Sequence, residues 1–350
     1  MSITYPSNES EALLHFKAAF NDSTGLLSSW VNGTDCRIMW DGVVCNNQTK
    51  YVISLIVYGL YQGVISESLC QLHFLTSLKI FGVRATLPSC LGNLTYIQIL
   101  DLSVNELSGM IPSSICFLTH LAYLDLGFNE FNGSIPSCLG NLSSLYYLDL
   151  SNNQLSGNIP ISLGSLTLLR HLYLGGNPLS KSIPDSMGNL SLLESLSIGD
   201  TQLSGITPPS YTQLSSLASL DVSGNRFNET VASSSLPPSL VDLRLSLNHN
   251  QSVSETFFHN LTSLELLYLS DCMLNFSSTW IPSFQLREIS LVSCMIDDAF
   301  PPWISTQFSL HKLELVNTGL VGEIPSWLLE TNPQLLVLNL SRNHLEGTIF

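Results

Sequence analysis

Leucine or isoleucine returns along this chain every 22 to 25 residues, inside a short stretch where apolar and polar residues alternate. In Tyr-Leu-Asp-Leu-Ser at 147–151, for example, the two leucines point to one face and the polar residues to the other. This alternation is typical of a β-strand with one buried face, and its repetition predicts a protein built from stacked repeats. The first apolar residues of the thirteen copies are Leu55, Leu78, Leu100, Leu124, Leu148, Leu172, Leu196, Leu220, Leu243, Leu267, Ile289, Leu313 and Leu338.

A polar residue stands five positions after most of these anchors, at a position whose side chain is expected to face the core. The chain must turn off the strand there, which leaves buried backbone N–H and C=O groups without strand partners. An asparagine amide can satisfy both kinds of group, so we expect a structural ladder rather than a ligand site. Its members are Asn105, Asn129, Asn153, Asn177, Asn225, Asn248 and Asn343, and Cys272 and Cys294 occupy the same position in their repeats.

The repeated pattern L-x-x-L-x-L-x-x-N/C-x-L is the signature of leucine-rich repeats. Behind the asparagine, Gly-x-Ile-Pro recurs at 109–112, 133–136, 157–160 and 322–325, which resembles the plant-specific subclass that adds a second short strand. The resemblance implies an α/β solenoid, a right-handed superhelix whose parallel strands line a concave sheet. Residues 225–300 depart from the Gly-x-Ile-Pro pattern, and we expect the solenoid to bulge or twist there.

Residues 8–20 do not follow the repeat and predict a helix with Leu13, Phe16 and Phe20 on one face. With Leu-Ser-Ser-Trp at 27–30 and Cys-x-x-x-Trp-x-Gly-Val-x-Cys at 36–45, they resemble the N-terminal cap of plant leucine-rich-repeat receptors. That resemblance implies a disulfide between Cys36 and Cys45. We therefore divide the chain into an N-terminal cap at 1–50 and about thirteen repeats at 51–350, the last of them incomplete.

The other cysteines and the glycosylation sequons indicate the compartment. Cys70 with Cys90, and Cys116 with Cys138, share one offset between successive repeats, which predicts two inter-repeat disulfides; four buried thiols are the alternative. We expect Cys272 and Cys294 to be free, because strand stacking alone does not provide disulfide geometry. Paired cysteines and abundant sequons favour secretion through an oxidising compartment. The sequon asparagines are Asn8, Asn21, Asn32, Asn47, Asn93, Asn132, Asn141, Asn189, Asn228, Asn250, Asn260, Asn275 and Asn339.

Composition and charge then exclude several classes of function. The net charge of −15, with only 12 basic residues, repels phosphate backbones and anionic lipid, so we expect no nucleic-acid partner. The chain has no apolar run long enough for a membrane span, and its first residues lack the pattern of a signal peptide. No catalytic motif or metal-ligand spacing is present, so we expect no enzyme, cofactor or metal site. Asp101, Asp125 and Asp149 would stack on an open, wet sheet, which disfavours catalysis.

Binding is expected at the strand positions that face away from the leucine core. Aromatic residues with a polar tip are favoured at interfaces, and acidic neighbours suit a basic peptide end or a Lys or Arg side chain. Simple packing of aromatic rings along the strands is the alternative. The candidate ligand-binding residues are Tyr123, Asp125, Tyr147, Asp149, His171 and Tyr173.

Across its whole length the chain resembles plant leucine-rich-repeat receptor-like proteins, as in the segments LPSCLGNLT at 87–95 and IPSWLLETNPQLLVLNLSRNHLEGTI at 324–349. The resemblance implies an extracellular domain that binds a peptide or protein ligand and signals through partner receptor kinases, in defence or development. It also implies an apoplastic location, or the plasma membrane if a C-terminal span follows. Because the chain ends inside a repeat, we expect a truncated form. The alternative is a secreted inhibitor resembling polygalacturonase-inhibiting proteins, which share this repeat type.

Overall fold

The computed structural model describes residues 7–347 except 21, 23–24, 33–39, 60–62, 206–207, 228–235, 247–251 and 297–298. The chain divides into two compact units, residues 1–179 and 180–350. In each unit the main strands follow one another in chain order, one per repeat, and pair in parallel. Every predicted anchor, from Leu55 to Leu338, lies inside one of these strands. The leucine-rich-repeat fold is therefore confirmed.

The long sheet begins with a short antiparallel strand, Val43–Cys45, before the parallel strands start. In the first unit the parallel strands are Val52–Val57, Ser77–Ile80, Ile99–Asp101, Tyr123–Asp125, Tyr147–Asp149 and His171–Tyr173. In the second unit they are Ser195–Ser197, Ser219–Asp221, Asp242–Ser246, Leu266–Ser270, Glu288–Val292, Lys312–Val316 and Val337–Asn339. The register pairs anchor with anchor, as in Leu124 opposite Leu148, so each side chain has its equivalent in the next repeat as a neighbour.

The core is a column of these anchors together with the leucine two residues later. Leu124, Leu126, Leu148 and Leu150 are all fully buried, and burying one such side chain contributes about 2 kcal/mol. Since a single strand cannot bury its own apolar face, that free energy is gained only by stacking repeats. The opposite face of each main strand is left for polar and aromatic side chains.

Second short strands follow the turn in both units, as the Gly-x-Ile-Pro pattern implied. In the first unit they form one parallel sheet from Arg84–Thr86, Glu106–Met110, Glu130–Ser134 and Gln154–Ser156. In the second unit they form three small sheets from Ser180–Lys181, Gln202–Gly205 and Arg226–Phe227, from Ser252–Ser254 and Met273–Asn275, and from Val321–Glu323 and His344–Glu346. Within the stretch that departs from the pattern, Ser252–Ser254 and Met273–Asn275 pair with each other, and Arg226–Phe227 pairs with the strand before it.

Short 3₁₀ turns close most repeats on the side away from the long sheet. Proline precedes several of them, and its fixed φ suits the extended residue before the turn, as at Pro112, Pro136 and Pro160. The turns of the first unit are Glu67–Gln71, Ser89–Asn93, Ser113–Phe117, Ser137–Asn141 and Ile161–Ser165. Those described in the second unit are Asp185–Asn189, Pro209–Gln213, Glu255–Phe258 and Pro302–Thr306, and a short α-helix, Trp327–Thr331, follows.

The asparagines behind the strands link one repeat to the next through their side chains. Asn153 Nδ2 donates to the carbonyls of Leu126, Leu150 and Ser151, and its Oδ1 accepts from Phe131 N–H at 2.9 Å. Corresponding hydrogen bonds are made by Asn105, Asn129, Asn177, Asn225 and Asn343. Asn248 lies outside the described residues. Each amide therefore satisfies the backbone groups that the turn would leave buried and unpaired.

The N-terminal cap closes the open end of the first unit. Its helix, Ser7–Ala18, buries Leu13 and Phe16, and Phe20 just beyond it is buried as well. Glu9 Oε2 accepts the N–H of Val52 at 2.8 Å, which ties the helix to the first parallel strand.

Disulfides join successive repeats in the first unit, at Cys70–Cys90 and Cys116–Cys138. Cys45 is disulfide-bonded, while Cys36 lies outside the described residues. Cys272 and Cys294 are buried free thiols. No helix within the described ranges is long and apolar enough to cross a membrane.

Candidate functional site

The six candidate binding residues lie on three adjacent strands of the first unit, on the face opposite the leucine core. Register places Tyr123 opposite Tyr147 and Tyr147 opposite His171. It likewise places Asp125 opposite Asp149, and Asp149 opposite Tyr173. The strand pairing therefore brings all six side chains together, and we call Tyr123, Asp125, Tyr147, Asp149, His171 and Tyr173 the Tyr/Asp patch.

The aromatic rings of the patch form a continuous surface. Tyr123 and Tyr147 stack with their centroids 4.2 Å apart and their planes 9° apart. Tyr147 lies 5.7 Å from Tyr173 at a tilted angle, and His171 stacks on Tyr173 at 6.4 Å. Stacked and tilted pairs at these distances are mutually favourable, so the rings hold one another in place before any ligand arrives.

Asp101 and Asp125 are not on an open, wet surface, so that expectation was wrong for these two carboxylates, while Asp149 is half-buried. Asp101 and Asp125 are each only 8% exposed. Parallel pairing sets Asp101, Asp125 and Asp149 directly side by side, and the hydroxyl of Tyr123 donates to Asp125 Oδ2 at 3.2 Å. The close strand spacing and the large neighbouring rings thus keep water from the carboxylates, which the sequence pattern alone does not reveal.

Burial changes the protonation of the patch. Desolvation, together with the charges of Asp149 and Asp101 and against a hydrogen bond from Gly127 N–H, raises the pKa of Asp125 to about 6. Desolvation also raises the pKa of Asp149, although hydrogen bonds from Ser151 oppose it. The same cause raises the pKa of Tyr123 and of Tyr147. An ionised Asp125 is therefore costly near neutral pH unless a cation approaches it.

Gly127 explains why the Oδ1 of Asp125 accepts fewer hydrogen bonds than the Oδ1 of its neighbour Asp101. Asp101 Oδ1 accepts both the N–H and the hydroxyl of Ser103, whereas Asp125 Oδ1 accepts only an N–H from Gly127, at 3.0 Å. A Cβ at Gly127 would stand 2.9 Å from Asp149 Oδ1. The glycine thus removes a hydroxyl donor from Asp125 and makes room for the carboxylate of Asp149.

Ion pairing separates this patch from the corresponding face of the second unit. Lys79 Nζ lies 3.7 Å from Asp101, but no ion pair among the described residues reaches Asp125 or Asp149. In the second unit Arg244 pairs with Asp242 at 3.1 Å and Lys312 with Glu314 at 3.0 Å. Arg244 also lies over the ring of Tyr268. Asp221 of the second unit likewise has no ion pair among those described, but its Oδ1 accepts both the N–H and the hydroxyl of Ser223.

Two strained apolar residues border the patch. Val104 and Phe128 have positive φ angles of 54° and 55° and are 63% and 57% exposed. The equivalent position carries Asn152, Gly176 and Asp200 in the next three repeats, residue types that accept this conformation more readily. The turn therefore requires the left-handed conformation in each of these repeats, but it does not require an apolar residue there.

Sequence reasoning missed Lys79, Gly127, Val104 and Phe128. A comparison of the repeats position by position could have found Gly127, because it replaces the serine that follows the strand in Leu-Asp-Leu-Ser. The same comparison could have found Val104 and Phe128 in a column of Asn, Asp and Gly. The pairing of Lys79 with Asp101 could have been found as well, because Lys79 holds the strand position of Asp101 in the preceding repeat and parallel register sets the two side by side.

Elsewhere, the second unit has a cavity of about 370 Å³ lined mainly by apolar residues, among them Leu274, Phe276, Ile296 and Trp303. In the described part of the chain, no three His, Cys, Asp or Glu side chains are grouped so that they could hold a metal ion. Neither feature adds a polar reactive group to the Tyr/Asp patch.

The sequon asparagines whose side chains are described lie at the surface, apart from the half-buried Asn339. The exposed ones are Asn32, Asn47, Asn93, Asn132, Asn141, Asn189, Asn260 and Asn275. Asn93, Asn141 and Asn189 each end a 3₁₀ turn, so they share one position in their repeats. Asn21, Asn228, Asn250 and the side chain of Asn8 lie outside the described residues.

Two sequence families match the chain. The family described as leucine-rich repeat region matches residues 52–251 and 134–349. The family described as leucine rich repeat N-terminal domain matches residues 6–46. Together the matches span the cap helix and all thirteen parallel strands.

Curated relatives are receptor-like proteins of plants. Receptor-like protein EIX2 from Solanum lycopersicum is 37% identical over 100 residues, which make up 28% of this chain and 10% of that protein. Receptor like protein 21 from Arabidopsis thaliana is 39% identical over 95 residues, or 26% of this chain and 9% of that protein. The aligned segments thus span about a tenth of the length of these relatives.

Solved structures show the same fold over longer stretches. The ectodomain of the plant membrane receptor kinase GASSHO1/SCHENGEN3 from Arabidopsis thaliana, in complex with CASPARIAN STRIP INTEGRITY FACTOR 2, has a TM-score of 0.80 and 27% identity over 98% of this chain and 45% of that chain. The plant peptide hormone receptor RGFR1 in complex with RGF2 has a TM-score of 0.68 and 28% identity, over 85% of this chain and 52% of that chain. A plant ice-binding protein has a TM-score of 0.65 and 28% identity, over 81% of this chain and 96% of that chain.

Proposed function

Because this chain belongs to the leucine-rich-repeat family and resembles the receptor-like proteins of plants, we propose that it is an extracellular ligand-recognition region of such a receptor. Its ligand is a peptide or protein that presents a basic group to the Tyr/Asp patch. The observation that carries the proposal is the pair of adjacent carboxylates of the buried Asp125 and the half-buried Asp149, which have no ion-pair partner among the described residues.

The chemistry of the patch favours a Lys, an Arg or a free amino terminus over an acidic or neutral ligand. A cation between Asp125 and Asp149 would offset the desolvation and mutual repulsion that raise their pKa values. The ring surface of Tyr147 and Tyr173 alongside offers apolar contact and a cation–π partner. Tyrosines in such a position are frequent binding hot spots, because they bury a large area and lose little entropy.

Relatives support the same class of ligand. RGFR1 is described as a plant peptide hormone receptor in complex with RGF2, and the GASSHO1/SCHENGEN3 ectodomain is in complex with CASPARIAN STRIP INTEGRITY FACTOR 2. For this chain, we place the domain in the apoplast or at the plasma membrane and expect glycans on the exposed sequons. We expect its signal to pass through a partner receptor kinase, in defence or development, as the resemblance to receptor-like proteins implies.

Selection from a random linear peptide library on phage, against the secreted and glycosylated chain, tests the proposal. Selected peptides are expected to be enriched in Lys or Arg next to an apolar residue. A synthetic copy of a selected peptide is then titrated calorimetrically against the chain and its variants. Tyr147→Ala is expected to weaken binding about tenfold or more, as interface tyrosines commonly do.

Ser195→Ala is the matched control, since Ser195 occupies the strand position of Tyr147 in a later repeat. It should bind the peptide as tightly as the unmodified chain. Peptides without basic residues, or equal binding by Tyr147→Ala, would contradict the proposal. Inhibition of a fungal polygalacturonase by the chain would favour the secreted inhibitor instead.

A further inference from the structure

Cys272 and Cys294 occupy the ladder position of two consecutive repeats in the second unit. Their Sγ atoms lie 2.7 Å apart, and the residues are 2% and 0% exposed. An ordinary non-bonded contact lies at about 3.5 to 4.0 Å, and a disulfide bond at about 2.05 Å. The two sulfurs are therefore closer than packing alone would leave them, with no water between them.

The backbone around this pair does not need the thiols as ladder groups. In the asparagine repeats, the N–H two residues after the ladder position donates to the side chain of the next ladder asparagine. Leu155 N–H, two residues after Asn153, donates to Asn177 Oδ1 in this way. After Cys272 the equivalent N–H, that of Leu274, donates to the carbonyl of Met295 at 2.9 Å, and Met295 N–H donates to the carbonyl of Cys272 at 2.7 Å. Backbone groups thus satisfy each other, and the thiols are left facing only one another.

We propose that Cys272 and Cys294 form a third inter-repeat disulfide as the protein matures, inside the core rather than on the flank. The pair is separated by 22 residues, as are Cys116 and Cys138, which are already bonded. The cross-link would join these two repeats covalently at the position where asparagine hydrogen bonds join other repeats. It lies in the stretch that departs from the Gly-x-Ile-Pro pattern, where the second strands form a sheet of only two.

The reaction is thiol–disulfide exchange with a small-molecule disulfide as oxidant. One cysteine thiolate attacks the small disulfide and releases one of its halves as a thiol. The second cysteine thiolate then attacks the Sγ of the first cysteine in this mixed disulfide. The attack forms the Sγ–Sγ bond and releases the other half of the oxidant. Two electrons pass to the oxidant, and the two cysteine protons end on the released thiols.

The surroundings indicate when this bond forms. The hydrogen bond to Cys294 and then burial raise the pKa of the Cys272 thiol, so the folded chain holds little of the attacking thiolate. Exchange is therefore expected while the second unit is still folding. Once formed, the bond would be shielded from reductants by the same burial.

Peptide mapping of the full chain, secreted from eukaryotic cells, tests the proposal. The protein is denatured without reductant in an excess of alkylating agent, deglycosylated and digested with trypsin. Arg287 is the only basic residue between the two cysteines, so trypsin places them on separate peptides. The expected result is a linked pair of these peptides, two hydrogen atoms lighter than their sum, and no alkylation at either cysteine.

Cys294→Ser is the control, and denaturing conditions make its folding irrelevant to the readout. It leaves Cys272 without its partner, so alkylation of Cys272 must appear and shows that the label would have been detected. Alkylation of both cysteines in most molecules of the unmodified chain would overturn the proposal. The linked peptides in most molecules would support it, and their detection does not depend on any ligand.

Discussion

Asp125 shows how one residue difference between repeats changes the chemistry of a site. Its neighbour Asp101 has a serine hydroxyl and Lys79 nearby, while Asp125 has the N–H of Gly127 and the hydroxyl of Tyr123. Repulsion from the two adjacent carboxylates adds to desolvation. Ionisation of Asp125 is therefore costly at the middle of a row of three carboxylates, where a cationic ligand would gain most.

Asp125→Asn should stabilise the chain near neutral pH. The pKa of Asp125 in the folded chain, about 6, lies above its ordinary value of 3.8, so the folded state binds more protons than the unfolded state between these values. The contribution of Asp125 to stability is therefore present below pH 4 and is lost as the pH rises through 6. We expect a gain of about 1 kcal/mol at pH 7.5 for Asp125→Asn and little gain at pH 4.

Denaturant unfolding followed by circular dichroism at both pH values measures this difference. Glu130→Gln removes the same charge at an exposed position and should show no such pH dependence. An equal gain at pH 4 and 7.5 would mean that the pKa of Asp125 is not raised.

Val104 offers a second gain in stability at the residue scale, this time from relief of backbone strain. A left-handed conformation costs a β-branched residue about 1 kcal/mol or more, and Asn152 holds the same position in a later repeat. Val104→Asn is therefore expected to raise the free energy of unfolding by about 0.5 to 1 kcal/mol. In denaturant unfolding, this gain appears as a higher midpoint concentration. Val44→Asn, at an exposed strand residue, should not. If both variants behave alike, the gain comes from surface polarity and not from φ.

At the scale of the element, the sequence predicted what depends on periodicity and missed what depends on neighbours. Leu148 and Asn153 recur at fixed positions, so strand, core and ladder follow from one repeat. The burial of Asp125 and the ion pairs Lys79–Asp101 and Arg244–Asp242 arise between or along strands, from side chains that no consensus position fixes. The columns of the Tyr/Asp patch were predictable because parallel register carries each position into the next repeat.

Asn153→Ala tests the ladder as an element that joins repeats. It would leave Phe131 N–H without its acceptor and would take one of two amide donors from the carbonyls of Leu126 and Leu150, at a cost of about 1 to 3 kcal/mol for the unsatisfied buried group. Hydrogen exchange followed by mass spectrometry should show faster exchange in the peptide that contains Phe131. Asn158→Ala, at an exposed residue of the same repeat, should leave exchange unchanged. Unaltered protection in Asn153→Ala would mean that stacking of the strands alone holds the turn.

At the scale of the whole molecule, charge decides which ligands approach. Acidic residues number 27 against 12 basic ones, and the described cations of the long sheet, Lys79, Arg244 and Lys312, are paired with carboxylates. The field of such a chain attracts cationic ligands over several ångströms and repels anionic ones. This long-range selection and the carboxylates of the Tyr/Asp patch favour the same sign of ligand charge, so approach and recognition are consistent.

The association rate of a selected basic peptide should therefore depend strongly on salt. Between about 0.02 M and 0.5 M ionic strength the Debye length falls from roughly 20 Å to roughly 4 Å, so attraction at a distance is screened while contacts inside the patch are screened less. We expect the association rate constant to fall about tenfold or more over this range and the dissociation rate constant to change much less. Surface plasmon resonance at several salt concentrations, with an uncharged analogue of the same peptide as control, measures both. A salt effect confined to dissociation would instead locate the electrostatic attraction within the bound contacts, and the net charge of −15 would then have no part in selecting the ligand.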